Sequence, residues 1–498
     1  MPAPAPVADV IVVGGGSSGC VVAARLSANP DRAVLLIEAG PGSSDPGPLG
    51  LLPVGPRSDV AATYPVELRP GRSTTISRGR VLGGSGAVNG GYFIRGTESD
   101  FRSWPQTWSY SQVLPYFRKL ETDRAGDPRW HGDDGPMPVT RIGREDMHPV
   151  SSAFLDACEA EGFGYAADLN EPNADGAGPV PLNAVAGRRI STASAYLEPN
   201  LARPNLRVRT GVVARRVVFD RARAVGVEAE IAGERRLLRA RQVVLCAGAI
   251  GTAHLLMHSG IGPPQHLSGL GLPVVADRPG VGRGFGDHPE VTLAYRPRLP
   301  VPRNEHTAVL EAVLEADGIE IRPYTAPFAE IIPGVLDAEP RLGVALMRPD
   351  SRGELTLRSS DPADPPVIRY RYLTSAADRA AMRSGLDLAR GLLTTAAFGR
   401  VAAAPGAGSP IEPFENLGTS LHLSGTCRMG SEADRDAVVD DRCRVIGVDG
   451  VLIADTSVMP VVTSRGPHAT AVMIAERVSA LIEGGTSPTH DAQGSGRV

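Results

Sequence analysis

Short apolar runs that stop at glycine recur along the chain and predict buried parallel strands. Val10-Ile11-Val12-Val13, after Asp9, is mostly β-branched, the composition of a strand covered on both faces. It leads into Gly14-Gly15-Gly16-Ser17-Ser18-Gly19 and then Val21-Val22-Ala23-Ala24-Arg25-Leu26, which predicts a helix. A second apolar run, Val34-Leu35-Leu36-Ile37, ends at Glu38. Strand, G-x-G-x-x-G, helix, strand and acid in register make a dinucleotide-binding βαβ unit. Gly14 permits the tight turn, Gly16 lets the backbone approach a pyrophosphate, and Gly19 allows close helix–strand packing. Ser17 and Ser18 open a helix whose free N–H groups favour phosphate. Glu38 is expected to accept hydrogen bonds from ribose hydroxyls, and its charge argues against a 2′-phosphate. NAD and FAD both remain open at this point.

The same texture returns far downstream. Arg241–Ala249 reads as a buried strand ending in small residues, and Gly450–Asp455 as another ending in an acid; Leu206–Val208 and Val212–Val218 are strand-like, and Gly226-Val227 opens a further run. The fold class expected is therefore α/β: a Rossmann-like domain assembled from separated segments, about 9–45, 75–120, 190–288 and 430–484. The intervening 46–74, 121–189 and 289–429 differ. Residues 125–190 are rich in Asp, Gly and Pro with short helical stretches such as Ser151–Glu161, and Gly353–Arg358 alternates apolar and polar residues. A sheet-based α+β substrate domain is the expectation for them. The ends, 1–8 and 485–498, are polar or Pro/Ala-rich and expected to be disordered.

The segment Arg78–Gly91 is too glycine-rich for a helix interior, where each Gly costs about 1 kcal/mol. It reads as backbone shaped to lie against a large flat ligand, where a Cβ would collide.

Composition narrows the partners. A chain of 498 residues exceeds one core. Its net charge of −4, without a basic stripe, does not favour nucleic acid. Met1–Ala8 has no secretory pattern, and no run of eighteen apolar residues predicts a membrane span. The expected location is cytoplasmic, with peripheral membrane association as a variant. The cysteines Cys20, Cys158, Cys246, Cys427 and Cys443 are scattered without a C-x-x-C pair, which argues against structural zinc and a disulfide framework. No H-E-x-x-H occurs, and the one G-x-S-x-G match, Gly15–Gly19, falls inside the dinucleotide fingerprint, so neither a metal centre nor a serine hydrolase is expected.

Ordered along the chain, these segments resemble the GMC (glucose–methanol–choline) flavoprotein oxidoreductases. Gly79–Asn89 is similar to the family's first signature, and Gly248–Gly262 to its second. Pro279–Arg283 with Asp287-His288-Pro289 is similar to a further element, His422–Gly430 to the catalytic-histidine block, and Asp455–Pro460 with the helix from Ala471 to Ile482 to the C-terminal cofactor segment. The resemblance implies FAD and oxidation of a small-molecule alcohol. It implies His422 as general base and His468 as hydrogen-bond partner of the alcohol oxygen. It implies Gly14, Gly16, Ser17, Ser18, Gly19, Glu38, Ala39, Arg80, Val81, Gly83, Gly84, Ser85, Asn89, Gly90, Ala214, Ala247, Gly248, Asp455, Thr456, His468, Ala469 and Thr470 as cofactor-binding.

Arg102, Ala253 and Gly284-Phe285-Gly286 depart from the family pattern without removing a catalytic group. Val88 stands where some members bond flavin through a histidine, so non-covalent FAD is expected. The short chain, with Tyr64–Leu68 and Gly90–Gly96, is also similar to the mycofactocin-associated branch, implying mycofactocinol or a related alcohol and an acceptor other than oxygen, such as a respiratory chain or redox cofactor. The alternatives are an oxidase using O2 and a redox-inactive hydroxynitrile lyase. Among other histidines, His131 and His266 read as turn or helix-end residues, His254 and His258 as locally satisfied, and His288 as a cap or a support behind the site; His490 reads as inert.

Overall fold

A computed structural model describes residues 8–42, 45, 47–298, 303–403, 414 and 416–484. The expected disordered ends, with His490, fall outside these, except Ala8, which opens the first strand. The N-terminal unit forms as its sequence predicts: β1 (Ala8–Val13), α1 (Ser17–Leu26) and β2 (Val34–Ile37). β1 lies between β2 and the end of the long strand Glu234–Leu245, parallel to both. Leu206–Arg209 extends the sheet beyond β2, and Val451–Ile453 pairs with Val243–Leu245. Strands from four distant segments thus form one parallel layer; β1, β2, Val243–Leu245 and Val451–Ile453 are buried on both faces and read as unbroken apolar runs, whereas Leu206–Arg209, at the sheet edge, exposes its arginines. The other half of Glu234–Leu245 continues as an antiparallel ribbon with Arg223–Ile231 and Val212–Asp220.

α1 packs against the C-terminal helix, His468–Ile482. Glu476, fully buried in that helix, accepts bidentate bonds from Arg25 and one from the Tyr196 hydroxyl at 2.8 Å. The chain's end is thereby bolted to its beginning.

Two further sheets carry the other wall. Six strands run in the order Leu417–Thr419, Pro289–Ala294, Arg341–Leu346, Ile319–Pro323, Ala312–Ala316, Gly176–Pro179, all antiparallel, with the amphipathic helix Ala376–Thr394 packed on one face. A five-stranded sheet joins Arg283–Phe285, Gly353–Thr356 and Val367–Arg369 to the hairpin β3 (Ala61–Arg69) and β4 (Arg72–Gly79). That hairpin spans the expected boundary between 74 and 75, because β4 must deliver Gly79 to the glycine-rich segment while pairing with β3 along its whole length.

His131 differs from its reading as a turn residue. It is buried, with Nδ1 2.7 Å from Glu121 and 3.2 Å from Asp123, and Nε2 2.8 Å from Asp168. Glu121, Asp123 and His131 have the proximity of a metal-ligand group. Arg95 pairs with Glu121, however, and Arg141 with Asp123 at 2.7 Å and Asp168 at 2.5 Å, so cations already meet these carboxylates. Burial alone would lower the His131 pKa, but bonds to Asp168 and Glu121 outweigh it and hold it up at about 9. The protonated ring therefore contributes stability that is full below pH 6.5 and is lost as pH rises through about 9. Denaturant unfolding should show His131→Gln less stable than wild type at pH 6, with the gap shrinking by pH 9.5; a gap independent of pH would mean the ring is not charged in the native state.

Candidate functional site

A cavity of about 1050 Å³ opens between the parallel sheet and the substrate-side sheets. Its first wall is backbone. Gly14 has φ +99°, and a Cβ there would sit 2.5 Å from the Cys246 carbonyl oxygen; on Gly19 a Cβ would sit 1.8 Å from the Gly14 oxygen. These two glycines are demanded by the protein itself. Gly16 is not: a Cβ there meets only Gly84 Cα, at 3.7 Å. Gly248 also faces open space, but its φ of +73° by itself calls for glycine. Three helices start at this cavity, at Ser17, Gly248 and His468, and in none does the N-cap side chain accept a helix N–H. Asp455 reaches across to accept from Gly248 N at 2.9 Å and Thr252 Oγ1 at 2.6 Å; the other two ends keep free donors for a ligand.

Glu38 is only 7% exposed, and its oxygens accept from Gly15 N (2.7 Å) and Gly40 N (2.8 Å). Burial raises its pKa, against the pull of those N–H groups. It lines the cavity as the ribose reading requires, and it also pins the glycine turn, a second duty that spacing does not reveal.

Of the cofactor residues expected from sequence, Gly14, Gly16, Ser17, Ser18, Glu38, Ala39, Arg80, Gly84, Ser85, Asn89, Gly90, Ala214, Ala247, Gly248, Asp455, Thr456 and His468 line this cavity. Gly19, Val81, Gly83, Ala469 and Thr470 are buried and are not among the residues that line it.

Both candidate catalytic histidines reach the same cavity from separate segments. His468 takes a hydrogen bond at Nδ1 from Asn89 Nδ2, 3.2 Å away. The direction is fixed because Asn89 Oδ1 already accepts from Gly91 N at 2.9 Å. A neutral His468 therefore carries its proton on Nε2, which is buried without a partner among the described residues. Burial first, then Arg189, lowers its pKa to about 4.

His422 is placed differently. Its Nδ1 lies 2.8 Å from Nδ1 of His288, and one Asp287 oxygen accepts the backbone N–H of both residues, at 2.6 Å for His288 and 2.8 Å for His422. His422 Nε2 is turned toward Gly466, where a Cβ would stand 3.5 Å away. Burial holds His422 far below the usual imidazole pKa, reinforced by His288, Arg322 and Arg78. His288, fully buried, is lowered to about 3 by burial and then Arg322. All three rings are neutral at pH 7.

Sequence reasoning missed the group beside His422. Arg322 Nη1 contacts Glu290 at 2.7 Å and Ser420 Oγ at 2.8 Å, its Nε contacts Glu320 at 2.5 Å, and Tyr324 OH donates to Glu290 at 2.7 Å. The available signal was Ile319-Glu320-Ile321-Arg322, two charges on alternate positions of a strand, and Glu290 immediately after Asp287-His288-Pro289.

A family model described as GMC oxidoreductase matches residues 8–290, and its C-terminal counterpart residues 349–475. The chain is 51% identical to an uncharacterised GMC-type oxidoreductase of Rhodococcus erythropolis over 96% of its length and 98% of that protein's. It is 35% identical to an oxygen-dependent choline dehydrogenase of Brucella suis, covering 96% of each chain. Among solved structures, pyridoxine 4-oxidase from Mesorbium loti superposes with a TM-score of 0.88 at 30% identity, over 96% of this chain and 99% of that one.

The two glycines that differ in what opposes them make a direct test. Gly16→Ala should leave the stability of the ligand-free protein within about 1 kcal/mol of wild type while sharply reducing cofactor retention. Gly19→Ala should fail to fold well with or without cofactor. Thermal melts of ligand-free protein, beside the absorbance of protein as purified, check both; undiminished cofactor in Gly16→Ala would remove Gly16 from the binding wall.

Proposed function

The chain belongs to the GMC oxidoreductase family, and on that premise we propose that it oxidises an alcohol to a carbonyl with non-covalent FAD in this cavity, His422 acting as base and His468 as donor. The observation that carries the reading is the opposite hydrogen bonding of the two rings. Asn89 donates to His468, so the ring's remaining N–H is on Nε2, which is turned toward Gly86 and which we assign as the donor to the alcohol oxygen. One proton lies between His288 Nδ1 and His422 Nδ1, and we assign it to His422, so that His288 Nδ1 accepts and the His288 proton sits on Nε2, which is buried without a partner among the described residues. His422 Nδ1–H then donates to His288 Nδ1, and His422 Nε2 presents a bare lone pair to the cavity. A neutral imidazole in that tautomer takes a hydroxyl proton at pH 7.

The fit to FAD rests on the open side of Gly16, the uncapped helix ends and the orphaned His468 Nε2. Gly16, Ser17, Ser18 and Glu38 would hold the dinucleotide, Arg80, Gly84, Ser85, Asn89 and Gly90 the ring system, and Asp455 and Thr456 the opposite edge. Bound there, FAD supplies the acceptor for the hydride that leaves the alcohol carbon. Val88, 3% exposed, lines the cavity without a nucleophile, which supports a non-covalent link. Choline, named for the Brucella relatives, and pyridoxine, named for the Mesorbium structure, are both alcohols. The short chain and the Tyr64–Leu68 and Gly90–Gly96 segments support the finer assignment to a mycofactocin-linked enzyme with an acceptor other than oxygen. Among the described residues no helix is long and apolar enough to cross a membrane.

Substrate added without oxygen should bleach the flavin band in one turnover with no nicotinamide. A band that stays unchanged while product forms would instead indicate the lyase, and reoxidation by air faster than by an artificial acceptor would indicate an oxidase. Acid precipitation should release all flavin to the supernatant.

Loss of a positioned base costs about 10²–10⁴-fold, so His422→Ala should slow flavin reduction by that order in stopped flow with FAD still bound. His468→Asn, which keeps a donor, should lose much less than His468→Ala. Near-wild-type reduction by His422→Ala would route the proton elsewhere.

A further inference from the structure

The end of the cavity farthest along from the glycine turn is closed by residues with no role so far. Past Glu38 the wall continues into the strand Val212–Asp220, whose Val212 N–H donates to the Glu38 carbonyl at 2.9 Å. Val212, Val213, Ala214 and Arg215 line the cavity there, and the helix Gly248–His258, packed on that strand, adds Gly251 and His254. With Glu38 on the ribose, the base that the ribose carries belongs at this end. A turn from the five-stranded sheet supplies a further wall: residues 362–366, between Gly353–Thr356 and Val367–Arg369, also line the cavity.

The turn holds its own shape. Ser359 Oγ donates to Asp364 Oδ2 at 2.5 Å, Ala363 N–H to Asp361 Oδ1 at 2.9 Å, and Asp364 N–H to the Asp361 carbonyl at 3.1 Å. It is also tied to the parallel-sheet half of the molecule. Arg215 Nη1 donates to the Pro362 carbonyl at 3.2 Å, while its Nη2 stays on Glu230 at 2.7 Å. His254 Nε2 lies 3.1 Å from the Asp364 carbonyl; a carbonyl only accepts, so this ring carries its proton on Nε2. Between the two ties lie Pro362, Ala363, Pro365 and Pro366. The three prolines have no N–H, and that of Ala363 is already donated to Asp361. Such a surface offers nothing to a phosphate and suits the face of a flat ring.

We infer that residues 362–366, fastened by Arg215 and His254, are the roof over the adenine of the dinucleotide and set how fast the cofactor leaves. This rests on the FAD reading above and adds residues to which that reading gives no part. Arg215 and His254 are positioning residues: they hold the turn, and the turn encloses the base. An apolar ring taken from water between strand and turn is stabilised by that burial. Its departure requires the turn to come away from both donors, so release is slow.

The test follows FAD leaving holoenzyme, with a phosphodiesterase present to cleave released FAD and prevent rebinding; the rise in flavin fluorescence gives the rate. His254→Ala and Arg215→Ala should each release FAD roughly tenfold faster than wild type, the loss of one hydrogen bond, whereas His254→Gln keeps a donor for the Asp364 carbonyl and should stay near the wild-type rate. Hydrogen exchange of ligand-free wild type with and without saturating ADP gives a second reading, and decides alone where the variants do not fold. ADP should protect amides of 212–215 and 357–364 together with those of the glycine turn, 14–19. Wild-type release rates in both alanine variants, or ADP protection confined to the glycine turn, overturn the inference and leave the FAD reading intact. Protection of neither segment, in a protein purified without flavin, overturns both.

Discussion

The contact between two neutral imidazoles, His288 Nδ1 and His422 Nδ1 at 2.8 Å, is the constraint on which the site depends. One proton must lie between those nitrogens, and which ring owns it decides whether His422 faces the cavity with a lone pair or with an N–H. Burial makes the question sharp. Were the pair open to water, both rings would titrate near 6.5 and exchange tautomers freely. Enclosed, they stay neutral, and Asp287, itself raised to about 6 by burial, holds both backbones so that the contact cannot drift. His288 is thus a positioning residue, acting on chemistry only through its neighbour.

The opposite wall follows a different rule. There, the requirement is backbone without side chains. The close approach of Gly14 and Gly19 is imposed by the fold, and the φ of +73° at Gly248 by itself calls for glycine, whereas only Gly84 Cα stands near a Cβ on Gly16. The helices that begin at Ser17 and His468 both start at this cavity, so the end of the glycine turn and the His468 ring are set by where helices begin. The Glu476 contacts with Arg25 and Tyr196 keep those two helices together.

The legible parts of this molecule were those with a local rule. β1, α1, β2 and Glu38 are recovered because a parallel strand, a glycine turn and an acid each have fixed spacing; Arg241–Ala249 and Gly450–Asp455 were legible for the same reason. The two catalytic candidates were found through family resemblance. What spacing does not carry is who faces whom across segments. His131 sits among Glu121, Asp123 and Asp168, His288 backs His422, and Arg322 meets Glu290 across strands more than thirty residues apart in sequence. The strand Ile319–Pro323 is buried on both faces, so its alternating charges read as a solvated face until the sheet around it is known.

The base assignment depends on the protonation of one nitrogen. Nitrogen-15 NMR of histidine-labelled holoenzyme, with the His422 signals assigned by their loss in His422→Gln, reads it directly. The account predicts a protonated Nδ1 and an unprotonated Nε2 for His422, unchanged from pH 8 down to pH 5.5. A protonated Nε2 at pH 7, or titration near 6.5, would contradict it.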